Sequence, residues 1–494
     1  LLYLVVKRFS EIDLHPETVS NIEMGHIFEE LIRRFSEHAE AGDHYTPREV
    51  IKLMVHLLFI EDMEILTQPG ITQTLYDCCA GTGGMGSVAK DYLTKHNPSA
   101  ELIFFGQEIN EESYAICKAD ILIKGDEAKN IAFGNTLSHD AFPDLKFDYL
   151  ITNPPYGVEW KPAEDAVKDE HEKLGMSGRF GAGLPRISDG QLLFLQHLVS
   201  KMKPVSEENP QGSRLAIIMN GSPLFTGDAG SGESEIRRWL LENDLVEGIV
   251  AMPDQLFYNT GISTYIWILT NNKNRLRRGK VQLVNGVDFY QKMRKSLGNK
   301  RNEISDEQIN ELVRIYGDMK PGENCKLFDK EDFGYQKITV ERPLRLNFKI
   351  DEERVQGLYN QTAFKNLATT GKRGAVGLKE SEEGEKLQKQ IIEALLSIKA
   401  DTIYKNRAEF TKKIRRLFKA KEIELKAPLL KALLTALSEK DETADICRDA
   451  KGKPEPDPDL RDTENVPLKE DIYEYFAREV KPHVPEAWID ESKT

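Results

Sequence analysis

Between residues 74 and 270 the chain alternates short apolar segments with longer amphipathic ones, and this alternation constrains the fold more than any other feature. The apolar segments predict β-strands, and apolar residues at three- and four-residue spacing in the longer segments predict α-helices. Repeated strand–helix alternation is typical of a doubly wound sheet with helices on both faces. The sequence therefore predicts an α/β fold around a mixed, mostly parallel seven-stranded sheet, with ligands at the carboxyl ends of the first strands.

The boundaries of these elements follow from the apolar runs and their flanking residues. Strands are predicted at 74–76, 102–106, 131–133, 147–152, 215–219, 246–252 and 264–269. Helices are predicted between them at 86–95, 111–123, 189–203 and 234–243. One more helix is predicted ahead of the first strand, because Thr46 can serve as its N-cap, Pro47 suits its first position and Glu49 completes a capping box.

A chain of 494 residues is longer than one hydrophobic core normally organises, so several domains are expected. Residues 1–40 are predicted to be the remainder of a helical amino-terminal domain, with Ile27, Leu31 and Phe35 on one helix face. Residues 41–345 contain the strand–helix pattern and are predicted to form the α/β domain. Residues 346–494 are predicted to be mainly helical, with an exposed Gly-, Lys- and Glu-rich linker near 369–384.

Composition excludes several classes of protein. Apolar residues make up 40% and charged residues 30%, as in ordinary globular proteins, and no apolar run approaches the length of a bilayer span, so a cytoplasmic location is predicted. The five cysteines show neither a disulfide framework nor zinc-site spacing. The net charge of -14 argues against a chain that grips nucleic acid by general basicity, so such a contact needs a local basic surface or a partner.

A glycine-rich loop follows the first predicted strand and precedes a helix. Glycines let the backbone turn sharply and approach a ligand, and the start of the helix directs N–H groups at that ligand. A purely structural turn explains the glycines alone. The candidate binding residues in this loop are Asp77, Ala80, Gly81, Thr82, Gly83 and Gly84.

Polar residues also follow the next two strands. Glu108 stands at the carboxyl end of the second strand, where a carboxylate can accept both ribose hydroxyls of a nucleoside. Asn135 follows the third strand, where its amide can contact the edge of an adenine ring. A solvated Glu and a plain turn are the structural alternatives. The order of glycine loop and acidic residue favours a nucleoside cofactor.

The fourth strand runs directly into Asn153-Pro154-Pro155-Tyr156. Two prolines restrict the loop and remove two N–H donors, which leaves the Asn153 amide oxygen and the Pro154 carbonyl to point at one target. Two acceptors on an exocyclic amine disfavour delocalisation of its lone pair and make the nitrogen a better nucleophile. Tyr156 offers a flat face to a planar ring.

Phe257 and Tyr258 lie beyond the sixth predicted strand and are candidates for stacking on the other face of that ring, with Tyr156 opposite. Ordinary core packing at a strand end is the alternative for both residues.

These motifs carry a family resemblance. Asn-Pro-Pro-Tyr after the fourth strand, with Asp77 and the glycine loop after the first, resembles the amino-methyltransferases that use S-adenosylmethionine. Within them, the segment 42–50 (GDHYTPREV) resembles the modification subunits of type I restriction systems, as do later segments at 188–191, 232–239, 257–262, 462–468 and 483–488. The resemblance covers the chain from Gly25 and implies a Rossmann-like methyltransferase fold. The family's amino-terminal domain is longer than the residues ahead of Gly25, so we expect part of it to be missing.

The resemblance also implies a function. Tyr45, Thr46, Pro47 and Arg48 are then expected to line the methionine end of the cofactor pocket. The substrate would be the N6 amine of an adenine rotated out of double-stranded DNA, in a reaction that needs no metal and no covalent intermediate. The implied partners are a specificity subunit that reads the DNA sequence, a second copy of this chain and, where the system has one, a restriction nuclease subunit.

Three alternatives remain open from the sequence. Asn-Pro-Pro-Tyr also occurs in enzymes that methylate protein glutamine or RNA guanine, although the 45–48 segment argues against them. A catalytically silent assembly scaffold is a third possibility. The basic stretch 412–419 fits either a contact with the DNA backbone or a solvated helix surface.

Overall fold

The structure, a computed structural model, describes residues 2–13, 15, 18–19, 24, 27, 46–258, 260–371, 373–398 and 402–493. The chain divides into two compact units, Leu1–Gly334 and Tyr335–Thr494. Leu31 and Phe35 of the predicted amino-terminal helix face lie outside the described residues, and so does Tyr45.

Within the described residues, a nine-stranded sheet forms the centre of the first unit, in the order β11-β8-β6-β7-β5-β4-β1-β2-β3. The strands of this unit, including a separate β9–β10 hairpin, are β1 (Thr72–Asp77), β2 (Glu101–Glu108), β3 (Ile131–Phe133), β4 (Tyr149–Thr152), β5 (Arg214–Asn220), β6 (Val246–Ala251), β7 (Thr264–Thr270), β8 (Lys280–Asn285), β9 (Gln291–Leu297), β10 (Lys300–Glu303) and β11 (Cys325–Asp329).

The sheet is mixed and mostly parallel, as predicted. Strands β3, β2, β1, β4 and β5 run parallel to one another, and β6 runs parallel to β8. Strand β7 is antiparallel to both β5 and β6, and β11 is antiparallel to β8. All seven predicted strands are confirmed. Strands β8 and β11, which were not predicted, extend the sheet beyond β6, and the alternating apolar residues Val281 and Leu283 of β8 were a signal that could have revealed it.

The helices of the first unit cover both faces of this sheet. They are α1 (Leu2–Ser10), α2 (Arg48–Phe59), α3 (Met63–Leu66), α4 (Gly84–His96), α5 (Glu111–Ile123), α6 (Glu164–Leu174), α7 (Gln191–Ser200), α8 (Ser222–Phe225), α9 (Gly232–Glu242) and α10 (Asp306–Asp318). Alternate residues of β5 enter two separate cores, Ala216 and Ile218 on one face and Leu215 and Ile217 on the other, because successive side chains of a strand point to opposite faces.

Helix α2 is anchored inside the fold by buried charges. Arg214 donates from Nε to the carbonyl of Leu58 near the end of α2 at 2.9 Å. The same guanidinium makes a two-point contact with Glu247, at 2.8 and 2.9 Å, and this cation holds the pKa of the buried Glu247 down at about 2 against the opposing effect of burial. The carboxyl end of α2 is therefore tied to β5 and β6.

The capping box predicted for α2 is wrong. The helix begins at Arg48 after Pro47 and has no side-chain cap. The Thr46 hydroxyl accepts a hydrogen bond from Asn153 instead, and Glu49 forms an ion pair with the buried Lys300. Both side chains are thus occupied by tertiary partners, which local spacing could not reveal.

The second unit combines helices with short strands. Its elements are β12 (Tyr335–Glu341), β13 (Leu346–Phe348), α11 (Glu352–Gln356), α12 (Thr362–Lys365), α13 (Ala375–Leu396), α14 (Arg407–Ala420), α15 (Ala427–Ala436), β14 (Ser438–Lys440), β15 (Asp462–Pro467), α16 (Ile472–Tyr475) and β16 (Trp488–Ile489). Strand β12 pairs with β15 and β16, so this unit begins ahead of residue 346. Residues 375–384 of the expected linker lie in α13, which has Ile391 and Leu395 in the core of this unit.

None of the helices in the described residues combines the length and the apolar character that crossing a membrane requires.

Candidate active site

The chain order reverses around β1, which lies between β2 and β4 in the sheet. The carboxyl ends of these three parallel strands therefore meet at one edge, where open α/β sheets bind their ligands. Asp77 ends β1, Glu108 ends β2, and Asn153 follows β4 directly. Three of the predicted site residues are thus brought to one edge by the topology.

The glycine loop turns tightly between β1 and α4. Gly81 and Gly83 have positive φ angles of 54° and 84°, which side-chain-bearing residues rarely adopt. A Cβ on Gly83 would also lie 2.9 Å from the Cys117 sulfur. The loop is closed onto β2 by a hydrogen bond from Ala80 N to the carbonyl of Gln107 at 3.0 Å. Gly84 is the first residue of α4, so the loop delivers its backbone to the start of a helix.

Asp77 is buried at the floor of this edge, with 1% of its surface exposed. Its Oδ1 atom accepts hydrogen bonds from the Thr152 hydroxyl at 2.6 Å and from the backbone N–H of Cys79 at 3.0 Å. Burial raises the pKa of this carboxyl to about 7 in spite of both bonds, because the charged form loses its hydration. Both of these hydrogen bonds end on Oδ1, so Oδ2 accepts none of the bonds found among the described residues.

Glu108 holds the neighbouring strand end and the glycine loop together. One carboxylate oxygen accepts from the backbone N–H of Gly81 at 2.7 Å and the other from that of Asn110 at 2.7 Å. Each oxygen retains a second lone pair. The glycine loop therefore holds the Glu108 carboxylate in place. A ligand bound at this loop would lie next to the same carboxylate.

Asn135 lies one strand further along the same edge and is half-buried. Its side-chain oxygen accepts from the backbone N–H of Leu137 at 2.9 Å, which closes a local turn. The next residue, Thr136, donates its hydroxyl to the carbonyl of Cys78 at 2.7 Å and ties this turn to the glycine loop. The turn alternative thus describes the Asn135 oxygen.

The Asn-Pro-Pro-Tyr loop leaves β4 toward the segment ahead of α2. Asn153 donates from Nδ2 to the Thr46 hydroxyl at 2.9 Å, and the Tyr156 hydroxyl donates to Asn153 Oδ1. Pro154 is buried and Pro155 is exposed. The amide of Asn153 is therefore held at both ends.

An aromatic pair stands beside this amide. The rings of Tyr156 and Phe257 meet edge to face, with centroids 6.0 Å apart. Burial raises the pKa of Tyr156 well above its ordinary value, which keeps its hydroxyl a donor. Phe257 is 3% exposed and belongs to the core, so it both packs the interior and faces Tyr156. Tyr258 has a different neighbour, since Lys300 Nζ lies 5.9 Å from its ring centroid.

The remaining residues of the predicted cofactor set have different surroundings. Thr46 is half-buried and Pro47 buried, whereas the Arg48 side chain is 43% exposed and reaches Asp91 at 3.4 Å. Thr82 lies half-buried in the glycine loop.

Sequence reasoning missed two residues that shape this site. Thr152 donates to Asp77, and its place directly before Asn153 was a usable signal. Lys300 is 3% exposed and joins Glu49 to the carbonyl of Leu256, next to Phe257, at 3.0 Å. No local pattern distinguishes this buried lysine from its exposed neighbours.

Comparison with known proteins gives a consistent result. The type I restriction enzyme MjaIX methylase subunit of Methanocaldococcus jannaschii is 27% identical over 340 residues, which are 68% of this chain and 56% of that protein. The HindI methylase subunit of Haemophilus influenzae is 28% identical over 268 residues, 53% of each chain. This chain spans about half the length of the curated relatives that it matches.

The likeness to solved structures covers a similar share of this chain. The crystal structure of the methyltransferase subunit of a type I restriction–modification system from Streptococcus thermophilus superposes with a TM-score of 0.54 at 26% identity, covering 66% of this chain and 64% of that one. The predicted methyltransferase fold is confirmed by this likeness. The sequence model of the N-6 DNA methylase family matches residues 20–341, which is more than half of the chain. The chain therefore belongs to the N-6 DNA methylase family, and the proteins it resembles are methylase subunits of type I restriction enzymes.

Proposed function

We propose that this chain is an S-adenosylmethionine-dependent DNA adenine-N6 methyltransferase and acts as the modification subunit of a type I restriction–modification complex. One observation carries the proposal. The amide of Asn153, held by Thr46 and Tyr156, stands at the same sheet edge as the buried carboxylates of Asp77 and Glu108.

The residues of this edge fit the cofactor. A glycine loop with positive φ angles admits a ligand close to the backbone, and two carboxylates suit a molecule with a cationic amino group and ribose hydroxyls. We assign Asp77 Oδ2 to the cationic amino group of the cofactor's methionine part, and Glu108 to its ribose. The 45–48 segment is assigned to the remainder of the methionine part. The Asn135 amino group is assigned to the adenine edge. When bound, S-adenosylmethionine supplies an electrophilic methyl group.

Asn153 and Pro154 activate the acceptor amine. The Asn153 oxygen and the Pro154 carbonyl accept the two amine hydrogens, so that the nitrogen lone pair is less delocalised into the ring. In the structure the Tyr156 hydroxyl donates a hydrogen bond to the Asn153 oxygen. The amine of the target base replaces this donor when the base enters. Holding the amine in one orientation provides most of the rate enhancement.

The target base must leave the duplex to reach this edge, at a cost of about a few kcal/mol. Stacking on an aromatic ring contributes about 1–3 kcal/mol per base and offsets part of that cost. Tyr156 provides one face of this pocket. Phe257, already in edge contact with Tyr156, closes the other side, and Tyr258 borders it.

The partners follow from the names of the relatives, which are subunits of type I restriction enzymes. We assign sequence reading to a separate specificity subunit, with a second copy of this chain and a nuclease subunit completing the assembly. The net charge of -14 supports a division of labour in which this chain does not bind DNA by charge alone.

The test is methyl transfer from labelled S-adenosylmethionine to duplex DNA, by the full chain alone and co-expressed with a specificity subunit. We expect label in N6-methyladenine when the specificity subunit is present. Asn153→Ala should abolish transfer and leave cofactor affinity within about threefold of wild type, since Asn153 contacts the assigned cofactor set through Thr46, while the hydrogen bonds that hold Asp77 and Glu108 do not involve it. Label in protein glutamine or in RNA, or no transfer to any acceptor, would refute the proposal.

A further inference from the structure

A β-hairpin with a strongly basic sequence lies in the first unit. It consists of β9 and β10, residues 291–303, which contain five Lys or Arg residues and one Glu in a chain whose net charge is -14. The local charge of this segment is thus opposite to that of the chain as a whole. Neither the predicted catalytic set nor the predicted cofactor set includes it.

The positive charges of the hairpin face solvent. Lys292, Arg294, Lys295 and Arg301 are all exposed. Within the part of the chain that the structure describes, the hairpin forms an ion pair between Lys300 and Glu49. The ion pairs of the described residues do not involve the four exposed side chains. Exposed cations without an internal carboxylate partner are available to an anionic surface.

The hairpin is attached to the loop that carries Phe257 and Tyr258. Backbone N–H groups of Asn299 and Arg301 donate to the carbonyls of Tyr258 at 2.8 Å and Gln255 at 2.9 Å. A Cβ on Gly298 would lie 2.5 Å from the Tyr258 carbonyl oxygen, so the turn of the hairpin needs glycine for this close approach as well as for its positive φ of 59°.

Buried polar side chains reinforce the attachment. Lys300 and Asn302 are 3% and 4% exposed, and Asn302 donates to the carbonyl of Asp254 at 3.0 Å. Lys300 also joins the hairpin to Glu49 in the first turn of α2. A two-stranded hairpin is only marginally stable alone, so these anchors determine where its exposed strand lies.

Strand β9 carries its cations beside the anchored strand β10. Leu297 pairs with Lys300 and Lys292 with Asn302, so an advance of five residues along β9 matches an advance of two along β10 and β9 bulges. One DNA strand presents a phosphate about every 3.4 Å along the axis, so several phosphates come within reach of a cluster of this kind. The cations of β9 are therefore available to a duplex whose target base enters beside Tyr156.

We propose that the exposed cations of the 291–303 hairpin bind the DNA phosphate backbone next to the flipped base. This inference rests on the proposed function. It assigns to the hairpin the local basic surface that an acidic chain needs in order to hold DNA. It also explains why the hairpin is anchored to the loop of Phe257 and Tyr258.

The test compares two triple variants with the same change in charge. Lys292→Gln, Arg294→Gln and Lys295→Gln neutralise β9. Lys379→Gln, Lys386→Gln and Lys389→Gln neutralise three exposed cations of α13 in the second unit, and serve as the matched control. The affinity for a duplex oligonucleotide is measured by fluorescence anisotropy between roughly 50 and 200 mM salt, with the full chain alone and with a specificity subunit.

We expect the hairpin variant to lose affinity at low salt and to show a flatter salt dependence. Each phosphate contact contributes about 0.9 to the slope of log K against log salt, so losing three lowers the slope by up to about 2.7, or about 40-fold in affinity across this range. The control should retain the wild-type slope. Thermal unfolding and cofactor affinity should be unchanged in both, because the substituted side chains are exposed and take part in no ion pair among the described residues.

Several outcomes would overturn the inference. An unchanged slope in the hairpin variant, with wild-type methylation of the same duplex intact, refutes the role of the hairpin and leaves the proposed function standing. An equal loss in the α13 control shows general electrostatics and refutes a localised contact. Loss of specificity-subunit binding in place of DNA affinity makes the hairpin a subunit contact. If the wild type transfers no methyl group to DNA, the proposed function fails and the inference fails with it.

Discussion

The side-chain amide of Asn153 donates a hydrogen bond to the hydroxyl of Thr46 at 2.9 Å, across 107 positions of the chain. Together with the Tyr156 hydroxyl, which donates to the Asn153 oxygen, this bond holds the amide at both ends. The oxygen is then turned toward Tyr156, where the acceptor amine is expected. Thr46, just ahead of α2, thus contacts the loop after β4. This contact exists only in the folded chain.

Thr46→Val should slow methyl transfer. The substitution keeps the shape of the side chain and removes the oxygen, so that the Asn153 amide loses its acceptor and its orientation. An unpaired, partly buried donor costs about 1–3 kcal/mol, and a loss of that size in the transition state corresponds to a rate reduction of about 5- to 160-fold. Single-turnover kinetics measure the effect. Thr46→Ser retains the hydroxyl and should stay within about threefold of wild type; equal rates for Val and Ser would show that the bond does not orient Asn153.

Tyr156→Phe should retain most of the activity, whereas Tyr156→Ala should lose it. The ring supplies about 1–3 kcal/mol of stacking, while the hydroxyl occupies the Asn153 oxygen that the amine must reach. Removing the hydroxyl alone therefore leaves the base pocket intact. Fluorescence of 2-aminopurine at the target position reports base extrusion, and single-turnover rates report transfer. Tyr156→Phe being as impaired as Tyr156→Ala would assign the hydroxyl a direct role.

Cofactor binding should depend on pH through Asp77. Burial raises the pKa of this carboxyl to about 7 in the chain without cofactor, and a cationic ligand favours the ionised form. Below pH 7 binding must first remove a proton, so the affinity should fall by up to about tenfold for each pH unit and should be level above pH 7. Calorimetry in buffers of different ionisation enthalpy measures the released proton. Asp77→Asn should bind weakly and without this pH dependence; a wild-type affinity that is constant from pH 5 to 8 would contradict the assignment.

The same shift has a consequence for stability. The pKa of Asp77 is raised on folding, so the folded chain binds more protons than the unfolded chain between the two pKa values. Its contribution to the free energy of unfolding is therefore fully present below about pH 4 and decreases as the pH rises to about 7. Bound cofactor should reverse this trend.

Gly86→Ala should destabilise the glycine-loop helix. A Cβ there would lie 2.6 to 2.8 Å from three carbons of the Phe104 ring, so the ring or the helix must move. Overpacking of this kind costs about 1–3 kcal/mol, measurable by urea unfolding. Gly84→Ala is the matched control, because its Cβ would meet only Ile51 at 3.4 Å. Adding Phe104→Leu to Gly86→Ala should recover part of the loss, and a double variant no more stable than Gly86→Ala would locate the strain elsewhere.

The sequence by itself determined the order of elements and the positions of the chemically distinctive residues. Local periodicity predicts strands and helices, and all seven predicted strands are present in the structure. Asp77, Glu108 and Asn153 could therefore be placed at strand ends from the sequence. The parallel order then required these ends to meet at one edge. Local signals also misled where they were weak, as for β11 at the sheet edge and for the linker that continues into α13.

Only the tertiary structure decided which partner each polar side chain takes. Thr46 and Glu49 have the spacing of a capping box, yet their hydrogen bonds go to Asn153 and Lys300, which lie 107 and 251 positions away. Periodicity reports the burial of a face, whereas a hydrogen bond depends on two atoms that the fold brings together from distant parts of the chain. For that reason the elements of this protein could be predicted, while the hydrogen-bond partners of the Asn153 amide could not.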